Sequence, residues 1–160
     1  MRGRTGLRAA ALAGVLALGL VGACSSGYES GVVQETQRAS EDLVATMEVE
    51  TVEGAVRLTL HVTNRSAEPI QLEFSSGQRF DFTVARMDGG EVGETLWTWS
   101  ADKSFMQALG AETLGPGGSL RYSAEWPAGG VTGEFLAQGA VTSTNHPVRQ
   151  SARFELTGDE

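Results

Sequence analysis

The chain has 160 residues, with twelve Lys and Arg against twenty Asp and Glu and a formal net charge of −8. A surface of that sign repels nucleic acid and anionic bilayer faces, and a lone cysteine, Cys24, excludes any internal disulfide. Two histidines give no local arrangement for a Ser/His/Asp nucleophile or a His-rich metal cluster, and no glycine-rich loop opens a helix as a phosphate cradle does. The chain is therefore read as a non-enzyme, with no catalytic residue, metal or cofactor assigned.

Three arginines (Arg2, Arg4, Arg8) and no acid precede fifteen small or apolar residues, AAALAGVLALGLVGA, that end directly before Cys24. This is the layout of a signal peptide over residues 1–23. A permanent span needs roughly 20 apolar residues to cross about 30 Å of hydrocarbon, so this run is too short for one. The ending Val21-Gly22-Ala23-Cys24 resembles the lipobox of bacterial lipoproteins. That resemblance implies a lipidated Cys24 and attachment to a bacterial membrane through it. Each buried CH₂ of the lipid contributes about 0.8 kcal/mol, and two or more chains anchor a protein stably. Ser25, next to that cysteine, resembles the outer-membrane sorting choice where the host is diderm. The alternative is an ordinary secretory signal that leaves Cys24 as a free thiol. Cleavage would remove three of the twelve basic residues and none of the twenty acids, leaving a formal charge of −11. The remaining 137 residues suit one domain.

Ser25 to Asp42 is polar and without a sustained period, and is read together with Cys24 as a flexible tether over 24–42. A first edge strand around Val32 and Val33 is the alternative. From Leu43 to 157 the pattern becomes short alternating runs divided by turn residues, the mark of antiparallel strands with one buried face. The clearest is AVRLTLHVTN, where Val56, Leu58, Leu60 and Val62 face one way and Arg57, Thr59, His61 and Thr63 the other. Further strands are expected at 43–50, 70–74, 79–87, 95–100, 119–126, 134–143 and 148–156. Turn signals separate most of them: Ala67-Glu68-Pro69, Asp88-Gly89-Gly90, Pro116-Gly117-Gly118, Pro127-Ala128-Gly129-Gly130 and Asn145-His146-Pro147. About eight strands at this spacing predict an all-β sandwich of two sheets. In KSFMQALG, Phe105, Met106 and Leu109 fall at helical spacing and Gly110 can end a turn, so one short helical turn is expected there.

His61 is read as a solvent-facing strand residue. Glu48, Glu50 and Glu53 cluster near the first hairpin, but lack the loop spacing of a calcium site and are read as a solvated face. Asn64-Arg65-Ser66 matches a glycosylation sequon that a bacterial lipoprotein context makes accidental. Trp97 and Trp99 share a face if their run is a strand. Both can be core; alternatively Trp97 and Phe105 stand at the sandwich end as anchors for a partner, since aromatic residues concentrate interface energy.

The order and spacing of Phe74, Ser76-Gly77-Gln78, Phe80-Asp81-Phe82, Trp99-Ser100, Phe105, Leu114, Pro116-Gly117 and Trp126 resemble the bacterial intracellular proteinase inhibitor family, the BsuPI domain, over about Leu43 to Leu156. The resemblance implies an immunoglobulin-like β-sandwich and proteinase inhibition, founded on an intracellular subtilisin-like serine protease. An exported, lipid-anchored chain cannot meet an intracellular target, so the expected partner is a protease of the cell envelope. No inhibitory residue motif carries over. The loops expected to meet a partner are Trp97 to Phe105 and Leu114 to Gly118, with Trp97, Trp99, Phe105, Pro116 and Gly117 as candidate contacts. A non-inhibitory protein-interaction module of the envelope is the competing function. In either case a monomer is expected, and the acidic surface favours a basic patch on the partner.

Overall fold

The computed structural model describes residues 42–52 and 54–157. The signal peptide, Cys24, the tether with Val32 and Val33, and Glu53 lie outside the described residues.

Among the described residues nine antiparallel strands build the domain: β1 Leu43–Val52, β2 Ala55–Asn64, β3 Ile70–Phe74, β4 Phe80–Asp88, β5 Glu91–Thr98, β6 Gly110–Leu114, β7 Ser119–Trp126, β8 Gly133–Val141 and β9 Val148–Leu156. They form a sheet ordered β1-β2-β7, a sheet ordered β5-β4-β8-β9, and a two-stranded ribbon of β3 and β6. The two larger sheets have the strand arrangement of an immunoglobulin-type sandwich, in which the first hairpin pairs with a late strand in one sheet and the middle and final strands make the other.

The alternation of β2 dictates its place. Val56, Leu58, Leu60 and Val62 are wholly buried, each contributing on the order of 1.5–3 kcal/mol relative to an exposed side chain. Because β2 is flanked on both sides, its outer face is half covered as well. Thr59 is only 3% exposed and shares a 2.7 Å hydroxyl hydrogen bond with Ser123 of β7. The opposite sheet supplies Phe82, Val84, Phe135 and Ala137, all fully buried. Aromatic pairs bridge the sheets: Phe80 stacks on Tyr122 at 4.7 Å, and Trp126 meets Phe135 edge to face at 5.4 Å. At Gly139 of β8 a Cβ would stand 2.9 Å from the Phe82 ring and 3.1 Å from the Met47 sulfur of β1. The absence of a side chain there lets the layers close.

Three differences from the expected pattern have physical causes. The segment 103–109 has no regular secondary structure, so the expected helical turn is absent. Its apolar residues are divided between different surroundings, with the Phe105 ring packing on Trp99. The Met106 carbonyl accepts a 2.8 Å bond from the N–H of Gly77, a partner outside any helix. The ninth strand, β6, begins where that helix was expected to end, and Gly110 pairs with Phe74. Finally, β5 starts at Glu91 rather than 95, because the Gly89-Gly90 turn, with φ of 60° and 90°, reverses the chain at once.

The registers define two ends. Leu43 lies opposite Asn64, Thr63 opposite Ser119, Phe80 opposite Val141, and Val141 opposite Val148. Leu43 and Ala45 line one depression with Pro147 and Val148. The start of β1, the β3/β6 ribbon and the loops at 75–79, 99–109, 115–118 and 142–147 therefore gather at one end.

Candidate functional site

At that end a carboxylate organises the segment after β5. Asp81 accepts from the backbone N–H of Phe82 at 2.9 Å and of Ser100 at 3.1 Å, and from the Ser100 hydroxyl at 2.5 Å. The Trp99 N–H donates to the Phe82 carbonyl at 2.8 Å. This clamp lays the Trp99 ring on Phe80, with centroids 4.3 Å apart and planes 29° apart. Trp99 also meets Phe105, with ring centroids 5.8 Å apart, and the Lys103 ammonium at 4.9 Å from its ring centre. Lys103 also bonds Asp102 at 2.8 Å, and that hydrogen bond holds the Asp102 carboxyl below its usual range.

The five candidate contacts thus separate. Trp97 and Trp99 are half-buried, each packed in part against the core. Phe105 is the inward anchor of the 103–109 loop. Pro116 and Gly117 are exposed but fixed by another hub. Gly117, at φ 71°, donates its N–H to the Asn64 carbonyl at 2.9 Å, while the Asn64 amide nitrogen bonds the carbonyls of Glu68, Leu114 and Gly115.

Sequence reading missed the two most exposed of the large apolar residues described. Met106 is 77% exposed and Leu109 is 90% exposed. Leu109 borders a shallow depression of about 550 Å³ lined also by Glu73, Phe74, Ser75, Gly110, Ala111 and Thr144. Taking the run as a helix hid this, because helical spacing puts Phe105, Met106 and Leu109 on one buried stripe.

Arg79 supports the floor of this region. Its Nε meets Glu112 at 2.9 Å, its Nη1 donates to the Ser76 carbonyl at 2.6 Å, and its guanidinium lies 4.4 Å from the centre of the Phe74 ring. A Cβ at Gly110 would meet the tip of that guanidinium at 2.5 Å, so a larger residue there would require the Arg79 side chain to shift. Nearby, burial pushes the Tyr122 hydroxyl up to about 12, with the Glu112 carboxylate adding to the effect.

On the far face of the first sheet, Glu48 pairs with His61 at 3.4 Å, and Arg57 meets Glu50 at 3.8 Å and Glu125 at 2.8 Å. Glu48 and Glu50 thus lie exposed on that face, each beside a β2 side chain across the strand pair. Among the described residues no group of three or more His, Cys, Asp or Glu could hold a metal ion.

The domain is thus an immunoglobulin-like sandwich with an exposed apolar loop at one end. The family model for BsuPI, the intracellular proteinase inhibitor, matches residues 43–146, and the chain belongs to that family. The match ends before β9, which completes the second sheet beyond it. No curated protein matches the chain. Among solved structures, similarity extends to a penta-heme cytochrome c552 from Thermochromatium tepidum, with 11% identity, a TM-score of 0.46, and coverage of 76% of this chain and 41% of that one. It extends also to the sporulation control protein Spo0M from Bacillus subtilis, with 12% identity, a TM-score of 0.43, and coverage of 72% and 48%. The chain spans less than half the length of either, and likenesses so distant carry nothing about activity.

Proposed function

We propose that this protein is a lipoprotein of the bacterial cell envelope, held to the membrane through lipid on Cys24, whose BsuPI domain binds and inhibits a protease there. The observation that carries the reading is the family match over residues 43–146, supported by an exposed apolar loop at one end of the sandwich. Inhibitors of this kind bury about 800 Å² on each partner, an area within reach of a few clustered loops. A subtilisin-like serine protease is the target class to try first, because the family's founding activity is directed at one.

Two measurements test the halves separately. Residues 25–160 at micromolar concentration should slow subtilisin or a member of a panel of envelope proteases; no effect on any of them ends the inhibitor half and leaves a non-inhibitory interaction module. Cells fed a clickable fatty acid should label the native chain and not Cys24→Ser. Equal labelling of the two would end the anchor half.

A further inference from the structure

We infer that Met106–Leu109 is the segment that enters the protease cleft, and that Leu109 is the side chain that fills an apolar primary specificity pocket. The inference rests on the inhibitor reading above.

A segment that occupies a protease cleft must be exposed, extended and held in place before it binds, since loop ordering on association weakens affinity. Met106, Gln107, Ala108 and Leu109 are four consecutive exposed residues outside regular secondary structure. They are held at both ends. On one side the Phe105 ring packs on Trp99 and the Met106 carbonyl accepts from Gly77. On the other, Gly110 pairs with Phe74 across the ribbon. The run Lys103–Ala111 contains no acid, although the whole chain is acidic. An apolar pocket therefore meets no carboxylate there that it would have to desolvate.

Two apolar side chains compete for the pocket, and their backbones decide between them. The residue that fills the primary pocket presents its carbonyl to the oxyanion hole of the protease. The Met106 carbonyl is already turned inward onto Gly77 at 2.8 Å. Leu109 projects further, at 90% exposure against 77%, and stands at the last position before the chain enters β6.

The test titrates subtilisin and trypsin with the full-length chain purified in detergent, as wild type, Leu109→Arg, Leu109→Phe and Met106→Arg. The expected result is that Leu109→Arg weakens inhibition of subtilisin by about 100-fold, because a guanidinium would enter an apolar pocket. It should also gain inhibition of trypsin, whose pocket carries a carboxylate. Leu109→Phe, which keeps an apolar side chain for the pocket, should retain most of the inhibition, and Met106→Arg, in the same bound segment, should lose less against subtilisin than Leu109→Arg and gain nothing against trypsin. Both positions are exposed, so all variants should melt together; a variant that does not is replaced by Leu109→Gln, expected to fall between wild type and Arg. Wild-type inhibition that Leu109→Arg leaves intact, or that Met106→Arg reduces as much, overturns the assignment alone. A wild type that inhibits neither enzyme nor any envelope protease overturns the inhibitor reading and the assignment with it.

Discussion

Asn64 shows how one polar residue can hold a loop end together. It is fully buried, and its amide nitrogen is shared among three carbonyls while its Oδ1 accepts from the Ser66 N–H at 2.9 Å and the Ser66 hydroxyl at 2.7 Å. Replacing it with Ala would take a donor from the buried Leu114 carbonyl and from the carbonyls of Glu68 and Gly115, which keep bonds from the Ser66 hydroxyl and the Gly118 N–H, so Asn64→Ala should lower stability by about 1–3 kcal/mol, read as a loss in urea midpoint. The same geometry disposes of the sequon: an amide so enclosed is closed to modification. What the sequence offered was an Asn at a strand end with Ser two residues on, an Asx-turn signal that the sequon reading obscured. Tyr122 is the converse case, since its hydroxyl is buried without a hydrogen-bond partner among the described residues. Tyr122→Phe should therefore leave the melting temperature at pH 7 unchanged or slightly raised. Its pH signature follows from the raised pKa. The folded group ionises near 12 against 10 for the free side chain, so above pH 10 the unfolded chain binds fewer protons and stability falls as pH rises from 10 to 12. In Tyr122→Phe that alkaline loss should be shallower, measured by urea unfolding at pH 8 and pH 11; equal slopes would count against it.

At the scale of elements, legibility tracked how far local pattern and tertiary surroundings agreed. β2 was plain because four alternating apolar residues match a strand buried on one face, and the larger sheets followed from the same period. β6 was missed because GAETL carries almost no alternation: Leu114 alone is core, and the strand exists because β3 lies beside it. The 103–109 loop failed for a related reason, since a helical spacing cannot reveal that Gly77 and Trp99 claim its residues separately. Among the candidate contacts, the sequence singled out Trp97 and Trp99, which the fold half-buries against the core, and passed over the less conspicuous Met106 and Leu109, which it leaves exposed. Edge strand β5 shows another device that periodicity does not reveal. Its pairing with β4 shifts register between Val84 and Ala85 and again between Ala85 and Met87, and Glu91 and Glu94 are exposed along it, both of which discourage edge-to-edge association. Layer packing yields a sharper prediction at Gly139. In Gly139→Val a branched side chain would press on the Phe82 ring and the Met47 sulfur from opposite sheets. The cost should be about 1–3 kcal/mol of stability, measured by thermal unfolding. A melting temperature equal to wild type would mean that the sheets separate more easily than this packing implies.

For the whole molecule, the decisive relation is between the start of the domain and its loop end. Leu43 opens β1 beside Asn64, while Trp99 and the 103–109 loop lie beyond Phe80, which the registers put at the same end. If lipid on Cys24 holds the chain, the anchor is therefore attached at the end that would meet a protease, and the bilayer competes with the partner for that space. Residues 25–42 can separate domain and membrane by at most about 60 Å when fully extended, enough to admit a globular protease between them. Removing residues 27–38 would cut that reach to about 20 Å, less than the diameter of such an enzyme. On vesicles the shortened lipoprotein should then inhibit at least ten-fold more weakly than wild type, while in detergent, with no bilayer beneath the loops, the two should inhibit equally. Equal inhibition on vesicles would mean that the loop end faces away from the membrane or that the anchor does not restrain it. A loss in detergent as well would point instead to contacts made by the deleted residues themselves. The segment between cysteine and sandwich would then set which proteases the loops can reach, a role for which its length matters more than its sequence.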